Sequence, residues 1–131
     1  MVTPIWIGKE VVLAIHKRQL AEYGGGDGVR DEGLLESSLS RPVNRFLYGE
    51  STPTLEDLAA SYAFGISRNH PFVDGNKRVA YVVCFLFLRL NGKHLIATNE
   101  DKFQTFLALA CGSMDEKGLS TWIHSHMRDR E

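Results

Sequence analysis

Hydrophobic residues recur along this chain every three or four positions, which is the spacing of one face of an α-helix. Capping residues, glycines and prolines interrupt the pattern and divide it into segments of helical length. The segments predict helices over about 9–23, 32–40, 55–69, 76–90, 100–111 and 120–127. Residues 93–98 predict a short extended link. The pattern therefore indicates a small all-α fold with about six helices and, at most, a short β-hairpin.

The fourth predicted helix differs from the others because its middle turns are hydrophobic on every side. The run Val79–Leu88 contains only apolar residues and one tyrosine. Helices that are apolar all round are buried in the core of a protein. The following Asn91-Gly92 pair is typical of a helix C-terminus. We therefore expect the other helices to pack around this one.

Local signals set several of the helix boundaries. Thr54 and Asp57 have the spacing of a capping box, and Asp31 and Asn99 are placed to cap the second and fifth helices. Arg41-Pro42 predicts the end of the second helix, because proline disrupts a helix interior. The residues at 43–53 then lack a helical period. They predict either a short hairpin flap or an ordinary surface loop.

Composition and charge narrow the class of protein. The 131 residues suit one domain, and 44% hydrophobic and 24% charged residues are ordinary for a globular chain. The formal net charge of −1 argues against a direct nucleic-acid partner. The longest apolar run is too short to span a bilayer, and the first residues do not resemble a signal peptide. We expect a cytoplasmic protein without membrane association, in which Cys84 and Cys111 are buried, reduced thiols.

The residues with the most chemistry lie directly before the apolar helix. Positions 70–78 read His-Pro-Phe-Val-Asp-Gly-Asn-Lys-Arg. A helix N-terminus offers unpaired N–H groups and the positive end of the helix dipole. Gly75 lets a ligand approach the backbone, Asn76 can cap the first turn, and Lys77 and Arg78 add positive charge. This combination predicts an anion site, for which phosphate is the usual ligand.

Each of these residues alone has an ordinary structural explanation, since Asp-Gly-Asn is common turn chemistry and short motifs are weak signals. The combination favours a site, because a simple turn does not need a histidine, a carboxylate and two cations. The glycine run at 24–28 lacks the Gly-Lys-Ser/Thr of a phosphate loop and indicates a linker. His124 and His126 lack a further ligand at metal-site spacing and indicate a solvated helix end.

The segment His70–Arg78 resembles the signature of the Fic/Doc family, roughly H-P-F-x-[D/E]-G-N-x-R. Gly28–Glu36 and Ala63–Ile66 are also similar to the Doc branch of that family, the death-on-curing toxins. The similarity extends over about residues 5–92, which is most of the chain. It implies the Fic fold, with about six helices around a buried central helix, in a single domain over residues 1–131.

The resemblance also implies an enzyme that uses ATP as substrate and Mg²⁺ as cofactor. His70 would be the general base that takes a proton from a protein hydroxyl, a task that suits a group titrating near neutral pH. Asp74 would bind Mg²⁺ together with the nucleotide phosphates. The residues expected to bind those phosphates are Gly75, Asn76, Lys77 and Arg78. A flap that contacts the protein substrate is expected at Arg45, Phe46, Leu47 and Tyr48.

Two positions distinguish between reactions of the family. AMP-transferring members usually have a glycine where this chain has Lys77, and a second arginine where it has Tyr81. Both departures are typical of the Doc branch, whose members transfer the γ-phosphate of ATP to a threonine of elongation factor Tu and thereby stop translation. Pro71 and Gly75 keep the general family signature, so transfer of AMP is the alternative reaction.

The resemblance extends to regulation. The segment Thr52–Glu56 is the nearest match to the inhibitory glutamate motif of Fic enzymes, and it lies outside the usual context. The resemblance therefore implies a separate antitoxin, whose disordered segment folds as a helix into a groove of the toxin. A third alternative is a non-catalytic protein that acts as antitoxin partner and co-repressor. The intact motif argues against it, because binding alone would not require those side chains.

Overall fold

Six α-helices and one small sheet make up the fold in a computed structural model, which describes residues 3–130. In chain order they are α1 (Lys9–Tyr23), α2 (Glu32–Tyr48), α3 (Leu55–Asn69), α4 (Asn76–Leu90), β1 (Lys93–Leu95), α5 (Asn99–Cys111), α6 (Glu116–His126) and β2 (Met127–Asp129). The all-α expectation is thereby confirmed. None of the helices within the described range has the length and apolarity needed to cross a bilayer.

The fold is built around α3 and α4, which contact each other and most of the other elements. The apolar sequence predicts a helix buried on every side, but Tyr81, Val82, Phe85 and Leu86 on one side of α4 are only partly buried. The residues on its inward side have no exposed surface. These residues are Val79, Ala80, Val83, Cys84, Phe87 and Leu88. In α3, the buried set includes Leu58, Tyr62 and Ile66. The polar loop 70–75 connects these two buried helices, so both of its ends are rigidly held.

The boundaries of α1, α3 and α4 agree with the sequence-based prediction. At the start of α3, the Asp57 N–H donates to the Thr54 hydroxyl at 3.2 Å, and the Thr54 N–H donates to the Asp57 carboxylate at 3.1 Å. This is the predicted capping box. Asp31 caps α2 as predicted, accepting from the Leu34 N–H at 3.0 Å.

Helix α2 continues to Tyr48, so the predicted end at Arg41-Pro42 is wrong. Pro42 is buried inside the helix, on the face that also carries Leu35 and Leu39. Packing of that face against α3 outweighs the one backbone hydrogen bond that a proline cannot donate. The predicted flap at 43–53 is consequently helical over its first half.

The last turns of α2 are also anchored by charge. Arg41 donates to the Glu116 carboxylate of α6, and Arg45 donates to its other oxygen at 3.2 Å. The Arg45 guanidinium also lies 3.9 Å from the Asp57 carboxylate of α3. These ion pairs tie the last turns of α2 to α3 and α6, where the sequence predicted a loop.

The sheet forms outside the predicted flap, from residues 93–95 and 127–129. Strands β1 and β2 pair antiparallel, with Lys93 opposite Asp129 and Leu95 opposite Met127. The expected extended link at 93–98 is therefore confirmed in its first half. Helix α6 begins at Glu116 rather than Ser120, because Asp115 caps it by accepting from the Gly118 N–H at 2.7 Å.

Two smaller predictions need correction. Thr98 caps α5 in place of Asn99, since its hydroxyl accepts from the Asp101 N–H at 3.0 Å. Cys84 is buried and its sulfur is free, as predicted, but Cys111 is exposed at the end of α5. Burial raises the pKa of the Cys84 thiol to about 12, so that thiol is unreactive at neutral pH.

Candidate functional site

His70 occupies the C-terminal end of α3 in a strained backbone conformation. Its φ of 48° and ψ of 58° are left-handed, and among residues 3–130 no other residue except glycine has a positive φ. The His70 N–H still donates to the Ile66 carbonyl at 3.1 Å, which ties the residue to the last turn of α3. Pro71 follows and prevents the helix from continuing. The imidazole is left exposed at the turn between α3 and α4.

The segment between α1 and α2 runs alongside this loop and pairs with it. Val29 and Phe72 form an isolated antiparallel bridge, and the Val73 N–H donates to the Gly28 carbonyl at 3.1 Å. The Arg30 N–H donates to the Pro71 carbonyl at 2.7 Å. The loop is therefore fixed by backbone hydrogen bonds, as a strand would be.

A buried histidine of α1 packs against the same loop from the protein core. The His16 ring stacks on the Phe72 ring, with centroids 3.9 Å apart and planes 13° apart. Its Nε2 lies 2.9 Å from the backbone carbonyl oxygen of Asp74. Because a carbonyl can only accept, Nε2 must carry the hydrogen. His16 is only 3% exposed, so it is part of the core that carries the loop.

The Asp74 carboxylate is exposed and partly oriented by backbone donors. One oxygen accepts from the Gly75 N–H at 2.9 Å, and the other accepts from the Gly26 N–H at 3.3 Å. A Cβ added at Gly25 would lie 2.8 Å from the same carboxylate. The glycine run at 24–28 is thus more than the linker that its sequence indicates, because its lack of side chains leaves room for Asp74.

The surroundings of Asp74 fit an ion such as Mg²⁺ that takes most of its ligands from elsewhere. Its carboxylate keeps free lone pairs beyond the two N–H contacts. No group of three or more histidine, cysteine, aspartate or glutamate residues lies together within residues 3–130. A cage made of protein ligands alone is therefore absent from that range, whereas Mg²⁺ bound by one carboxylate, phosphates and water is compatible with it.

The N-terminus of α4 lies next to this carboxylate without a side-chain cap. Gly75 is the N-cap residue, with a left-handed φ of 82° that favours glycine. The prediction that Asn76 caps the helix is wrong. Its side chain is buried and bonds back to Phe72, accepting from its N–H at 2.9 Å and donating to its carbonyl at 3.0 Å. The N–H groups of the first helical turn have no partner within α4. They lie at the positive end of the helix dipole, which stabilises a bound anion.

Lys77 and Arg78 lie on one side of the first turn of α4, over aromatic rings. The Lys77 ammonium is 5.0 Å from the centre of the Phe103 ring, and the Arg78 guanidinium is 4.3 Å from that of Tyr23. Both cations line a cleft of about 430 Å³ between α1, α4 and α5. The cleft is lined by Gln19, Tyr23, Lys77, Arg78, Tyr81, Val82, Asn99, Lys102, Phe103 and Phe106.

This lining contains three cations and no carboxylate, which suits an anionic ligand with apolar parts. Tyr81 also lines the cleft, and its ring is edge-on to Phe106 at 5.1 Å and stacked on Phe85 at 6.1 Å. His70 and Asp74 are not part of the lining. The structure thus places the predicted site residues in two groups, one in the loop and one in the cleft, joined by the first turn of α4.

The predicted flap residues divide between two roles. Arg45 is occupied by its ion pairs, and Phe46 packs edge-on against Trp6 with ring centroids 5.6 Å apart. Leu47 is 58% exposed and Tyr48 is 80% exposed. Only these last two side chains project freely at the end of α2. A backbone-mediated strand contact could involve only the non-helical part at 49–53, because the helix uses the backbone groups before it.

Sequence reasoning missed several residues that shape the site. His16 lies four positions after the buried Val12, so helical spacing already places it on the inward face of α1. Arg30 and Lys102 carry no such signal, since a charged residue in a loop or on an amphipathic helix is usually solvated. Their contacts arise only when distant segments meet in the fold.

Comparison with known proteins identifies the family. The model of the Fic/DOC family matches residues 6–88, which is more than half of the chain. The chain therefore belongs to the Fic/DOC family, and the resemblance of its motif is confirmed. The match includes the loop, the buried helix after it and the α1–α2 segment that braces the loop.

Two relatives illustrate the similarity. "Toxin Doc" of Mycolicibacterium smegmatis is 43% identical over 75 residues, covering 57% of this chain and 58% of that protein. "Protein kinase doc" of Escherichia phage P1 is 36% identical over 94 residues, covering 72% of this chain and 74% of that protein. The matched part thus spans less than two thirds of the mycobacterial relative and about three quarters of the phage protein.

Proposed function

We propose that this chain is a Doc-type toxin that transfers the γ-phosphate of ATP to a hydroxyl of a protein. The observation that supports this most is the arrangement of the loop at 70–75. It combines an exposed histidine in a fixed backbone conformation with a carboxylate and the uncapped N-terminus of a buried helix. The names of the two relatives, a toxin and a protein kinase, agree with this proposal.

In the proposed reaction, His70 accepts the proton of the incoming hydroxyl. The hydroxyl oxygen then bonds to the γ-phosphorus, and the bond between that phosphorus and the bridging oxygen breaks, so that ADP leaves with the electron pair. The N–H groups of the first turn of α4, with Lys77 and Arg78, hold the phosphate oxygens and offset their charge. Asp74 would hold Mg²⁺, which when bound supplies further neutralisation of the phosphates.

The structure of the cleft favours γ-phosphate transfer over AMP transfer. Tyr81 occupies the position where AMP-transferring members of the family carry a second arginine, and its ring is packed between Phe85 and Phe106. A packed aromatic ring offers no guanidinium to an outer phosphate. Lys77 adds a long side chain where those enzymes leave the backbone bare. Both features argue against the nucleotide pose that transfers AMP.

We further propose, from the family resemblance, that the target is a threonine of elongation factor Tu and that the reaction stops translation. Leu47 and Tyr48, exposed at the end of α2, are the predicted contacts for the protein substrate. A surface with two large exposed apolar side chains is suited to a protein partner. The non-catalytic alternative would leave the exposed histidine and the oriented carboxylate without a use.

We also propose a cognate antitoxin, with a disordered segment that folds on binding to the toxin. The cleft between α1, α4 and α5 is the surface we assign to it, because the exposed rings of Tyr23 and Phe103 border its three cations. An amphipathic segment with acidic residues would match both features. Its binding would cover Lys77 and Arg78 and so compete with ATP.

Labelled ATP tests the proposal. The protein is incubated with purified elongation factor Tu, Mg²⁺ and ATP that carries the label in either the α or the γ position. We expect label from the γ position alone to reach the factor, and none when the His70→Ala variant replaces the wild type. Label from the α position would support the AMP-transferring alternative, and transfer of neither label would contradict an enzymatic role.

A further inference from the structure

The left-handed backbone of His70 has to be held by its surroundings. A residue with a Cβ in this conformation costs roughly 1–2 kcal/mol relative to a right-handed one. The last carbonyls of α3 also lack helical partners, as at any helix C-terminus. Within the described residues, all the remaining positions with positive φ are glycines. The histidine therefore needs compensating contacts from outside α3.

Arg30 supplies these contacts from the segment between α1 and α2. Its Nε donates to the His70 carbonyl at 2.7 Å, and its Nη2 donates to the Asn69 carbonyl at 2.7 Å. Its backbone N–H donates to the Pro71 carbonyl, also at 2.7 Å. One residue thus binds three consecutive carbonyl groups, centred on the histidine.

We propose that Arg30 is a positioning residue for the transfer reaction, which holds the His70 backbone so that the imidazole faces the substrate hydroxyl. This inference rests on the proposed role of His70 as the base. The planar guanidinium can place two parallel N–H groups on neighbouring carbonyls, whereas a lysine ammonium has no fixed fork. Its charge also lies at the C-terminal, negative end of the α3 dipole, where a cation is favourable.

The contribution of Arg30 to global stability should be small, because the residue is exposed and its partners can bind water instead. Its contribution to the geometry of His70 is larger, since the guanidinium binds the backbone that sets the direction of the Cα–Cβ bond to the imidazole. A loss of activity without a comparable loss of stability is therefore the signature of this role.

The test compares Arg30→Ala and Arg30→Lys with the wild type and with a matched control, Arg18→Ala. Arg18 lies on the exposed surface of α1, and within residues 3–130 its one salt bridge is with Glu22, four residues away. Transfer is measured with both α- and γ-labelled ATP, so that the assay records either reaction. We expect Arg30→Ala to lower kcat by about 10–100-fold, with KM for ATP nearly unchanged, since misplacement of a catalytic group acts on the chemical step.

Amide hydrogen exchange provides a readout that does not depend on activity. In Arg30→Ala we expect faster exchange at His70 and Val73, whose hydrogen-bonded N–H groups are close in sequence to the released carbonyls of Asn69 and His70, and unchanged exchange in the middle of α4. Arg30→Lys should show an intermediate kcat. Arg18→Ala should match the wild type in kcat, in exchange and in the midpoint of thermal unfolding.

The failures of the two proposals are distinguishable. An active wild type together with an equally active Arg30→Ala variant would overturn the positioning role and leave the proposed function intact. Equal losses of kcat and of thermal stability, with faster exchange throughout the protein, would also overturn it in favour of a purely structural role. A wild type that transfers neither label would overturn both proposals together.

Discussion

The Nε2 of His16 donates a hydrogen bond to the backbone carbonyl of Asp74 at 2.9 Å, across 58 residues of sequence. The same ring stacks on the Phe72 ring, with centroids 3.9 Å apart, so one buried side chain of α1 contacts the loop at two positions. The loop cannot shift relative to α1 without breaking one of these contacts. In this way the hydrophobic core determines where the exposed Asp74 carboxylate lies.

Replacement of His16 tests this support. We expect His16→Ala to lower the free energy of unfolding by about 2–4 kcal/mol, because it removes a buried ring and a partner of the Asp74 carbonyl. Urea denaturation gives this quantity. The matched control is Lys17→Ala, an exposed neighbour on the same helix, which should change stability by less than about 0.5 kcal/mol. Equal stabilities of the two variants would show that the stacked ring carries little packing energy.

The closeness of Gly25 to Asp74 gives a second prediction, on metal affinity. A Cβ at Gly25 would lie 2.8 Å from the Asp74 carboxylate, whereas a Cβ at Gly24 has no atom within 4 Å. Both glycines have positive φ, of 117° and 77°, so alanine is strained at either position. Gly25→Ala should therefore weaken binding of the Mg²⁺–nucleotide complex more than Gly24→Ala does. Isothermal titration calorimetry measures the difference, and equal affinities would contradict the predicted role of Asp74 as metal ligand.

The capping box of α3 leads to a prediction of pH dependence. Burial alone would raise the pKa of Asp57, but hydrogen bonds from the Ser120 hydroxyl and from Thr54, with the nearby charge of Arg45, hold the pKa below its usual value. A carboxyl with a lower pKa in the folded state stabilises the protein above its unfolded pKa. That stabilisation is lost as the pH falls through the folded pKa.

We therefore expect Asp57→Asn to lower the free energy of unfolding at pH 7 by about 1 kcal/mol, through loss of the charged cap. The difference from wild type should shrink as the pH falls from about 4, near the unfolded pKa, through the lower pKa of the folded carboxyl. Denaturation at a series of pH values measures both effects. Glu50→Gln, an exposed loop residue, is the control and should follow the wild type throughout. A difference that stays constant down to acid pH would contradict the pKa shift.

The sequence predicted the helices whose ends carry strong local signals and whose buried faces are regular. The bounds of α3 and α4 followed from the Thr54–Asp57 capping box and from the apolar run before Asn91-Gly92. The end of α2 did not, because tertiary packing overrides the proline at 42, and the start of α6 did not, because Asp115 caps that helix before the predicted Ser120. Propensity is a weak guide at such positions, where burial and ion pairs to other helices add several favourable contacts.

The candidate site was predictable only as far as it is continuous in sequence. The motif at 70–78 contains the histidine, the carboxylate and two of the cations, and its composition alone indicated an anion site. His16 and Arg30, which hold the loop in place, lie 58 and 40 residues away in sequence from the loop residues that they contact. The buried orientation of the Asn76 side chain also depends on the folded loop, because its amide bonds to the Phe72 backbone rather than to the helix N-terminus.

Two positions, 77 and 81, provide the sharpest test of which part of ATP this chain transfers. Lys77 borders the cleft at the first turn of α4, and Tyr81 lies one turn further along. We expect Lys77→Gly to reduce γ-phosphate transfer, because it removes one of the cations proposed to hold the phosphates. Adding Tyr81→Arg should allow some AMP transfer, since it restores the second arginine of the AMP-transferring members.

Mass spectrometry of the modified target gives the most direct measurement, because one phosphate and one AMP differ greatly in mass. The wild-type protein, incubated with ATP, Mg²⁺ and purified elongation factor Tu, should add a single phosphate to a threonine. The His70→Ala variant, treated identically, should add nothing. An AMP adduct made by the wild-type protein would contradict the claim that this chain is a kinase.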